Sequence, residues 1–335
     1  MTQPRIGVVG VGAFGRHHAR VSRALTHARS AGVFDIDRKR CEAVGREFGV
    51  AVRSSLEELL AESDGVVIAV PTTTHEEVAL AAIQAGVHVF VEKPLAPDVS
   101  SADRMLAAAR ASGVIIQVGH VERFNPALVA ARPHIERPLF VESHRLAPFT
   151  RRSLDVAVVL DLMIHDVDLL CSLIAKPVAQ VAAVGVPVLS RYVDIANARV
   201  EFEGGSVANL TASRVSVTKL RKLRIWQPSG YLSLDLAAGS GDFYRLKDGV
   251  SVLDGSSIPR CVPEPAGLST VVRRIPIRGN GIEPLFAEQC SFRDAIAGLA
   301  PPPVTGEDGR RALQLALAIE QQIEDHVAHT RSTSP

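Results

Sequence analysis

Between residue 5 and about residue 119, short apolar runs alternate with segments of helical period. The runs are "RIGVVG", "AGVFDI", "GVVIAV", "VHVFVE" and "VIIQVG". Between them lie "AFGRHHARVSRAL", "RKRCEAVGREFG", "THEEVALAAIQAG" and "SADRMLAAARASG". Several of these close on glycine, the residue best suited to a left-handed helix stop. Continuous Val/Ile strands separated by helices predict βαβ units and a parallel sheet covered on both faces. After residue 138 the pattern changes. "LFVESHRLA", "VAQVAAVGVPV", "IANARVEFEGGSVANLTASRV" and "KLRIWQPSGYLSLDL" read as longer strands, with "FEGGS" as a hairpin loop. A helix is expected at roughly 156–174, and two more near 284–299 and 306–328, the last capped by Thr305 or Gly306. The fold class is therefore α/β. A doubly wound Rossmann domain (1–122) precedes an α+β domain with a large, mostly antiparallel open sheet (123–335), and the C-terminal helices pack back on the first domain.

Composition narrows the function classes. The 335 residues suit two cores better than one, and 47% hydrophobic with 22% charged residues is ordinary for a water-soluble globular chain. A net charge of +1 gives no general pull towards nucleic acid or anionic membrane. No uncharged run reaches bilayer length, so no membrane insertion is expected. "MTQPRIGVVGVG" carries none of the regions of a secretory signal, and the cytoplasm is the expected compartment. Cys41, Cys171, Cys261 and Cys290 are widely spaced and read as small core residues of a reducing compartment.

The first apolar run ends in "GVGAFG". Gly10 permits a tight turn, Gly12 lets the backbone approach a pyrophosphate, and Gly15 lets helix and strand pack closely. The free N–H groups of the helix start, from Ala13 and Phe14 onward, then face the diphosphate. Asp35 follows Gly15 by 20 residues at the end of the second strand, placed to accept from a ribose 2′-OH. An acid there repels a 2′-phosphate, which favours NAD over NADP. Arg38, Lys39 and Arg40 just beyond it are the residues that would favour NADP.

Ligands of an open parallel sheet bind beyond the carboxyl ends of its strands. "VPTTTH", with Pro71, Thr72 and His75, follows one strand, and "EKP", Glu92 to Pro94, follows the next. All are candidates for cofactor contact, and Thr72 to Thr74 are also candidate helix caps. Lys93 at such an edge can donate to a substrate hydroxyl, lower a neighbour's pKa or titrate itself. Glu92 offsets its charge, and Pro94 restricts its backbone. In "VVLDLMIHDVDLL", Asp161 and His165 stand four apart on one helical face. His165 suits general base work, with Asp161 stabilising the imidazolium. A core histidine satisfied by an aspartate one turn away is an equal reading at this point. No Cys or further His nearby completes a metal set, so no metal is expected.

GxGxxG with its acid, "EKP", and Asp-x-x-x-His in that order resemble the Gfo/Idh/MocA oxidoreductase family over nearly the whole chain. The resemblance implies NAD(P)-dependent hydride transfer on sugars or cyclitols. It makes Lys93, Asp161 and His165 the catalytic set, and it implies a homodimer or homotetramer formed through the exposed sheet. "VAVVLDLMIH" lacks the glycines of many members, with Met163 and Ile164 in their place. That stretch and "QVGHVERFNPA" are similar to a subgroup whose members oxidise C3 of UDP-N-acetylglucosamine, for later transamination in a 3-amino-sugar lipid A pathway. A UDP-sugar needs cations and polar contacts. Arg123, Asn125, Arg145, Arg151 and His165 are the expected substrate contacts. Arg152, Arg214, Lys219, Arg221 and Lys222 form a wider basic set. Dehydrogenases of another sugar, a UDP-uronate or inositol, and a non-catalytic NAD-binding sensor are the rival readings.

Overall fold

The computed structural model describes residues 3–150, 156–247 and 272–333. Its chain order begins β1 (Arg5–Val9), α1 (Ala13–Ala24), β2 (Arg29–Phe34), α2 (Arg38–Phe48), α3 (Leu56–Ala61), β3 (Gly65–Ile68), α4 (His75–Gln84), β4 (His88–Glu92), α5 (Val99–Ser112) and β5 (Ile116–Gly119). It continues α6 (Pro126–Ala131), β6 (Phe140–Leu146), a π-helical turn (Val159–Met163) leading into α7 (Ile164–Leu173), and β7 (Val178–Val186). Then come β8 (Ile195–Phe202), β9 (Val207–Ser213), β10 (Leu220–Gln227), β11 (Gly230–Asp235), β12 (Ser240–Leu246), β13 (Val272–Arg278), α8 (Pro284–Ile296) and α9 (Gly306–Thr333). Two compact units result: Met1–Phe124 with Ile282–Leu315, and Asn125–Gly281 with Ala316–Pro335.

The first unit holds a five-stranded parallel sheet in the order β2-β1-β3-β4-β5. Its strands are apolar on both faces because helices cover both, and all four residues of β3 are buried. Ile6, Val8, Val33, Val67 and Phe90 pack with Val21 of α1, with Leu25 just beyond it and with Phe292 of α8. The Phe90 and Phe292 rings meet edge to face at 5.8 Å between centroids. Helix starts are set by short polar side chains: Asp37, Ser55 and Asp98 accept from Arg40, Glu58 and Ser101 N–H. Gly49 and Gly113 stop α2 and α5 in the left-handed conformation. At α9, Thr305 Oγ1 accepts from Asp308 N–H while Asp308 Oδ2 accepts from Thr305 N–H, a reciprocal cap. Parallel pairing brings every strand's carboxyl end to one edge.

The second unit holds an eight-stranded sheet, β13-β12-β11-β10-β6-β9-β8-β7, in which β6 and β9 pair parallel and the other described pairs are antiparallel. Burial alternates along β6 and β8, as in a sheet with one covered face. α7 packs on β6 and β9. The "FEGGS" hairpin is present, with Gly204 and Gly205 at φ +89° and +87°. The stretch "KLRIWQPSGYLSLDL" forms the antiparallel pair β10 and β11. The helix expected at 156–174 is a π turn followed by α7. No helix among the described residues is long and apolar enough to cross a membrane.

Candidate active site

The glycine loop joins β1 to α1. Gly10 turns at φ +83° and donates its N–H to Phe34 O at 2.8 Å. A Cβ on Gly15 would lie 1.8 Å from the Gly10 carbonyl oxygen, so this glycine is required by the fold itself. A Cβ on Gly12 would meet nothing within 4 Å. The room beside Gly12 is where a pyrophosphate must approach the backbone. Gly12 is also the N-cap of α1 and no side chain caps that helix, so its leading N–H groups suit an anion. Ala13 and Phe14 are exposed there, Phe14 at 66%. Asp35 is nearly buried; its Oδ2 accepts from Val11 N–H at 2.7 Å and its Oδ1 from Asp37 N–H at 2.8 Å. The acid thus ties the end of β2 to the glycine loop and keeps lone pairs for a ribose hydroxyl. Arg40 lies 3.6 Å from Asp35 and 3.1 Å from Asp37, and Arg38 pairs with Glu42 at 2.8 Å. Both arginines are engaged by acids, which agrees with NAD rather than NADP.

Pro71 is exposed and Thr72 half-buried on the turn after β3. The threonines do not cap α4 through side chains; Thr74 Oγ1 donates back to Pro71 O at 2.8 Å. His75 is buried beneath this turn. Its Nδ1 lies 3.0 Å from Pro94 O and its Nε2 3.1 Å from Val70 O. Burial lowers its pKa against the pull of those carbonyls, and the ring braces the turn after β4 to the end of β3. That turn contains the cis Lys93–Pro94 bond.

Glu92 closes β4. Burial alone would raise its carboxyl, but the hydrogen bond and charge of His18, and then the charge and N–H of Lys93, outweigh burial and hold it below the usual range. His18 Nε2 is 2.6 Å from Glu92 Oε1, and Lys93 N–H donates to Glu92 Oε2 at 3.1 Å. Gln289 of α8 reaches His18 from the other side, 2.9 Å from Nδ1.

In the second unit Asp161 lies in the π turn and His165 in the first turn of α7. The wider i→i+5 turn means that four residues no longer complete a helical turn, so the simple shared-face reading does not transfer. π turns of this kind recur at functional sites. His165 is half-buried with its Nδ1 enclosed. Arg145 and Asn125 are both held by partners within the second unit. Arg145 is buried and forms a two-pronged pair with Asp166, at 2.7 and 3.0 Å. Asn125 is buried, caps α6 and donates to Leu236 O at 2.8 Å. Arg214 is likewise buried, held by Asp194 at 2.8 Å, and donates to Val156 O at 2.6 Å. Asp194 also accepts from Val188, Leu189 and Ser190 N–H. Burial would raise its carboxyl, but these donors drive it far below the usual range. Arg123 belongs to the first unit, its Nη2 3.8 Å from Asp308 Oδ1. Arg151 and Arg152 lie outside the described residues. Lys93 belongs to the first unit, Asp161 and His165 to the second. Among the described residues no cluster of three or more His, Cys, Asp or Glu is arranged to hold a metal ion.

Comparison with known proteins decides what such residues belong to. A family model described as "Oxidoreductase family, NAD-binding Rossmann fold" matches residues 4–120, and the GFO/IDH/MocA C-terminal domain matches 128–233. A UDP-N-acetylglucosamine 3-dehydrogenase of Acidithiobacillus ferrooxidans is 37% identical over 97% of this chain and 98% of its own. The chain belongs to the Gfo/Idh/MocA oxidoreductase family. A solved structure of a UDP-N-acetylglucosamine 3-dehydrogenase from A. ferrooxidans superposes with a TM-score of 0.87 at 36% identity, covering 97% of this chain and 99% of that one. An inositol 2-dehydrogenase of Cereibacter sphaeroides is 37% identical over 50% of this chain and 52% of its own. The protein is thus an NAD-binding dehydrogenase of the Gfo/Idh/MocA type. The sequence reading missed His18, Gln289 and Asp194. "GRHHA", with two histidines on the helix that opens at the glycine loop, was the available signal for His18.

Proposed function

We propose that this Gfo/Idh/MocA enzyme oxidises the C3 hydroxyl of UDP-N-acetylglucosamine to a ketone, in the cytoplasm. The observation that carries the reading is 37% identity over 97% of the chain to an enzyme of that name. The lysine, aspartate and histidine set that the family resemblance assigns is also intact. His165 takes the hydroxyl proton as general base. Asp161 stabilises the imidazolium that results. Lys93 stabilises the negative charge that develops on the substrate oxygen. Bound NAD supplies the hydride acceptor. Asp35 and the loop around Gly12 hold the dinucleotide, while Arg145 and Arg214 stay with their buried carboxylates. Diphosphate recognition then falls to Arg123, Arg151, Arg152, Lys219 and Arg221. The 3-keto sugar nucleotide is the electrophile that an aminotransferase consumes, as in a 3-amino-sugar lipid A pathway.

The same reading includes a homodimer or homotetramer through the C-terminal sheet. Phe140, Trp226, Tyr231 and Tyr244 form a half-exposed aromatic ladder with centroids 5.0 to 5.6 Å apart, an apolar stripe suited to a second copy. The deciding experiment measures NADH formation with UDP-N-acetylglucosamine, other UDP-sugars, free sugars and inositols. UDP-N-acetylglucosamine is expected to be turned over far faster than the rest. Turnover of inositol alone, or NAD binding without turnover of any of them, would overturn the proposal.

A further inference from the structure

Arg145 and Arg214 look like substrate cations in the sequence, yet they are only 3% and 5% exposed. Both stand at the carboxyl ends of β6 and β9, which pair parallel with Arg145 opposite Ala212. Arg214 follows β9 directly, and its N–H donates to Asp194 O at 3.0 Å, continuing the β8–β9 ladder by one step. Ala212 and Arg214 are two apart and so share a face. That face is the one on which α7 packs. From there each arginine reaches one end of the stretch from Val156 to Asp166, which carries Asp161 and His165.

Arg145 takes the far end. Its Nε and Nη2 donate to the two carboxylate oxygens of Asp166 at 2.7 and 3.0 Å, and Asp166 follows His165 in the first turn of α7. A two-pronged pair fixes orientation as well as distance, so this turn can neither rotate nor slide on β6 without breaking it. Arg214 takes the near end. Its Nε donates to Asp194 Oδ1 at 2.8 Å and its Nη1 to Val156 O at 2.6 Å. Asp194 also gathers the N–H groups of Val188, Leu189 and Ser190, which shapes the loop whose Val193 O accepts from Val158 N–H at 3.0 Å. The residues on both sides of Ala157 are thus anchored, and Ala157 O accepts Asp161 N–H at 3.1 Å. Between the two anchors runs the π turn, in which Ile164 N–H reaches back five residues to Val159 O. Such turns are rare. With both ends fixed, the chain between them cannot shed its extra residue by sliding.

We propose that Arg145 and Arg214 are positioning residues for the oxidation: together they clamp the 156–166 segment at both ends and so set where Asp161 and His165 stand. Neither needs to touch the substrate or NAD. The inference rests on the roles given to Asp161 and His165 above. Rate falls steeply when such side chains are displaced, and an error of about 1 Å can cost on the order of 100-fold. Lysine at either position keeps the positive charge, but it is a point donor on a flexible stem. It can pair with its carboxylate and still lose the second contact, the other oxygen of Asp166 in one case and Val156 O in the other.

The test reads single turnovers, with protein and NAD in excess over UDP-N-acetylglucosamine. The variants are Arg145→Lys, Arg214→Lys and the double replacement Arg145→Met with Asp166→Leu. The rate of NADH formation at saturating protein reports the chemical step in folded molecules. Unfolded molecules only raise the protein concentration needed to reach that plateau. Each lysine variant is expected to lower the plateau rate about 10-fold or more, with NAD affinity within about twofold of the unmodified protein. The double replacement removes both charges and is expected to regain the melting temperature lost in Arg145→Met while its plateau rate stays low. A pair that only stabilised the fold would regain both. The double replacement also decides the matter where a lysine variant does not fold. Unchanged plateau rates in the lysine variants, or recovery of rate along with stability in the double replacement, overturn the inference. Full activity in His165→Asn, or no turnover of UDP-N-acetylglucosamine by the unmodified protein, overturns the underlying reading instead, so the two failures are distinguishable.

Discussion

The three glycines of the nucleotide loop separate into fold and ligand roles, and alanine substitution tests that separation. At Gly15 an added methyl would lie 1.8 Å from the Gly10 carbonyl oxygen. An ordinary C···O contact is about 3.3 Å, so the backbone must move by roughly 1.5 Å. Overpacking of this kind costs about 3 kcal/mol, the upper end of its range, because the obstacle is main chain rather than a flexible side chain. For a unit of this size that lowers Tm by roughly 6–12 °C. At Gly12 the methyl meets nothing within 4 Å, and φ −63°, ψ −158° is open to alanine. The loss there is only the N-cap preference, about 1 kcal/mol or less.

NAD binding reverses the order. A methyl at Gly12 occupies the space that the pyrophosphate needs, and a 50-fold loss of affinity is about 2.3 kcal/mol. At an NAD concentration 100 times the original Kd, binding stabilises the unmodified chain by about 2.7 kcal/mol. The same concentration stabilises Gly12→Ala by only about 0.6 kcal/mol. Thermal melts with and without NAD read both effects. Gly12→Ala should melt close to the unmodified protein and lose most of its NAD-induced shift. Gly15→Ala should melt far lower without any ligand. A full NAD-induced shift in Gly12→Ala refutes the reasoning. So does a loss of apo stability in Gly12→Ala as large as that in Gly15→Ala.

Arg145→Met should cost about 3–5 kcal/mol by stranding the buried Asp166, and adding Asp166→Leu should recover most of it in denaturant melts. Asp194→Asn removes the anion that holds Arg214 and the N–H groups of Val188, Leu189 and Ser190, so a loss of similar size is expected at pH 7. Glu320 on α9 is pushed up to about 7 by burial and by Glu324. The folded state binds its proton more tightly than the unfolded one, so this group costs stability as pH rises from about 4.5 to about 7. The full shift equals about 3 kcal/mol, and partial solvent access cuts it to about 1–2. Glu320→Gln should therefore raise Tm at pH 8 and leave it unchanged at pH 4. His165→Asn and Lys93→Ala should each lower kcat at least 100-fold while NAD affinity, read by fluorescence titration, stays within about twofold.

The nucleotide half was legible because its signals are local. Buried parallel strands must be continuously apolar, so all five strands of the first sheet stand out, and strand, glycines and acid keep fixed spacing. The second sheet was legible where its hairpins carry glycine pairs and opaque where its strands are polar. β12, "SGDFYRL", has little alternation, and β13, "VRRIPIR", holds three arginines and a proline. Neither resembles a strand until β11 and its neighbours pair with it. The π turn was invisible because it depends on hydrogen-bond register rather than residue type. Arg145 and Arg214 looked like free cations because Asp166 and Asp194 stand 21 and 20 residues away, beyond any pattern of spacing.

The same limit explains "VFVEKPLA". The sequence places a carboxylate beside an ammonium and invites the reading that one neutralises the other. A carboxylate at a buried strand end cannot do so unaided, because burial favours its neutral form. It needs a donor that favours the ionised form. His18 lies 74 residues away from Glu92, and Gln289, which reaches the other side of its ring, 271 residues away from His18. In the parallel sheet only β3 separates β1 from β4, so α1, which follows β1, brings His18 to the end of β4, and α8, part of the first unit, supplies the glutamine. Fold and chemistry meet at that point: the topology that builds the nucleotide loop also delivers the histidine that lets Glu92 stay charged at the end of β4.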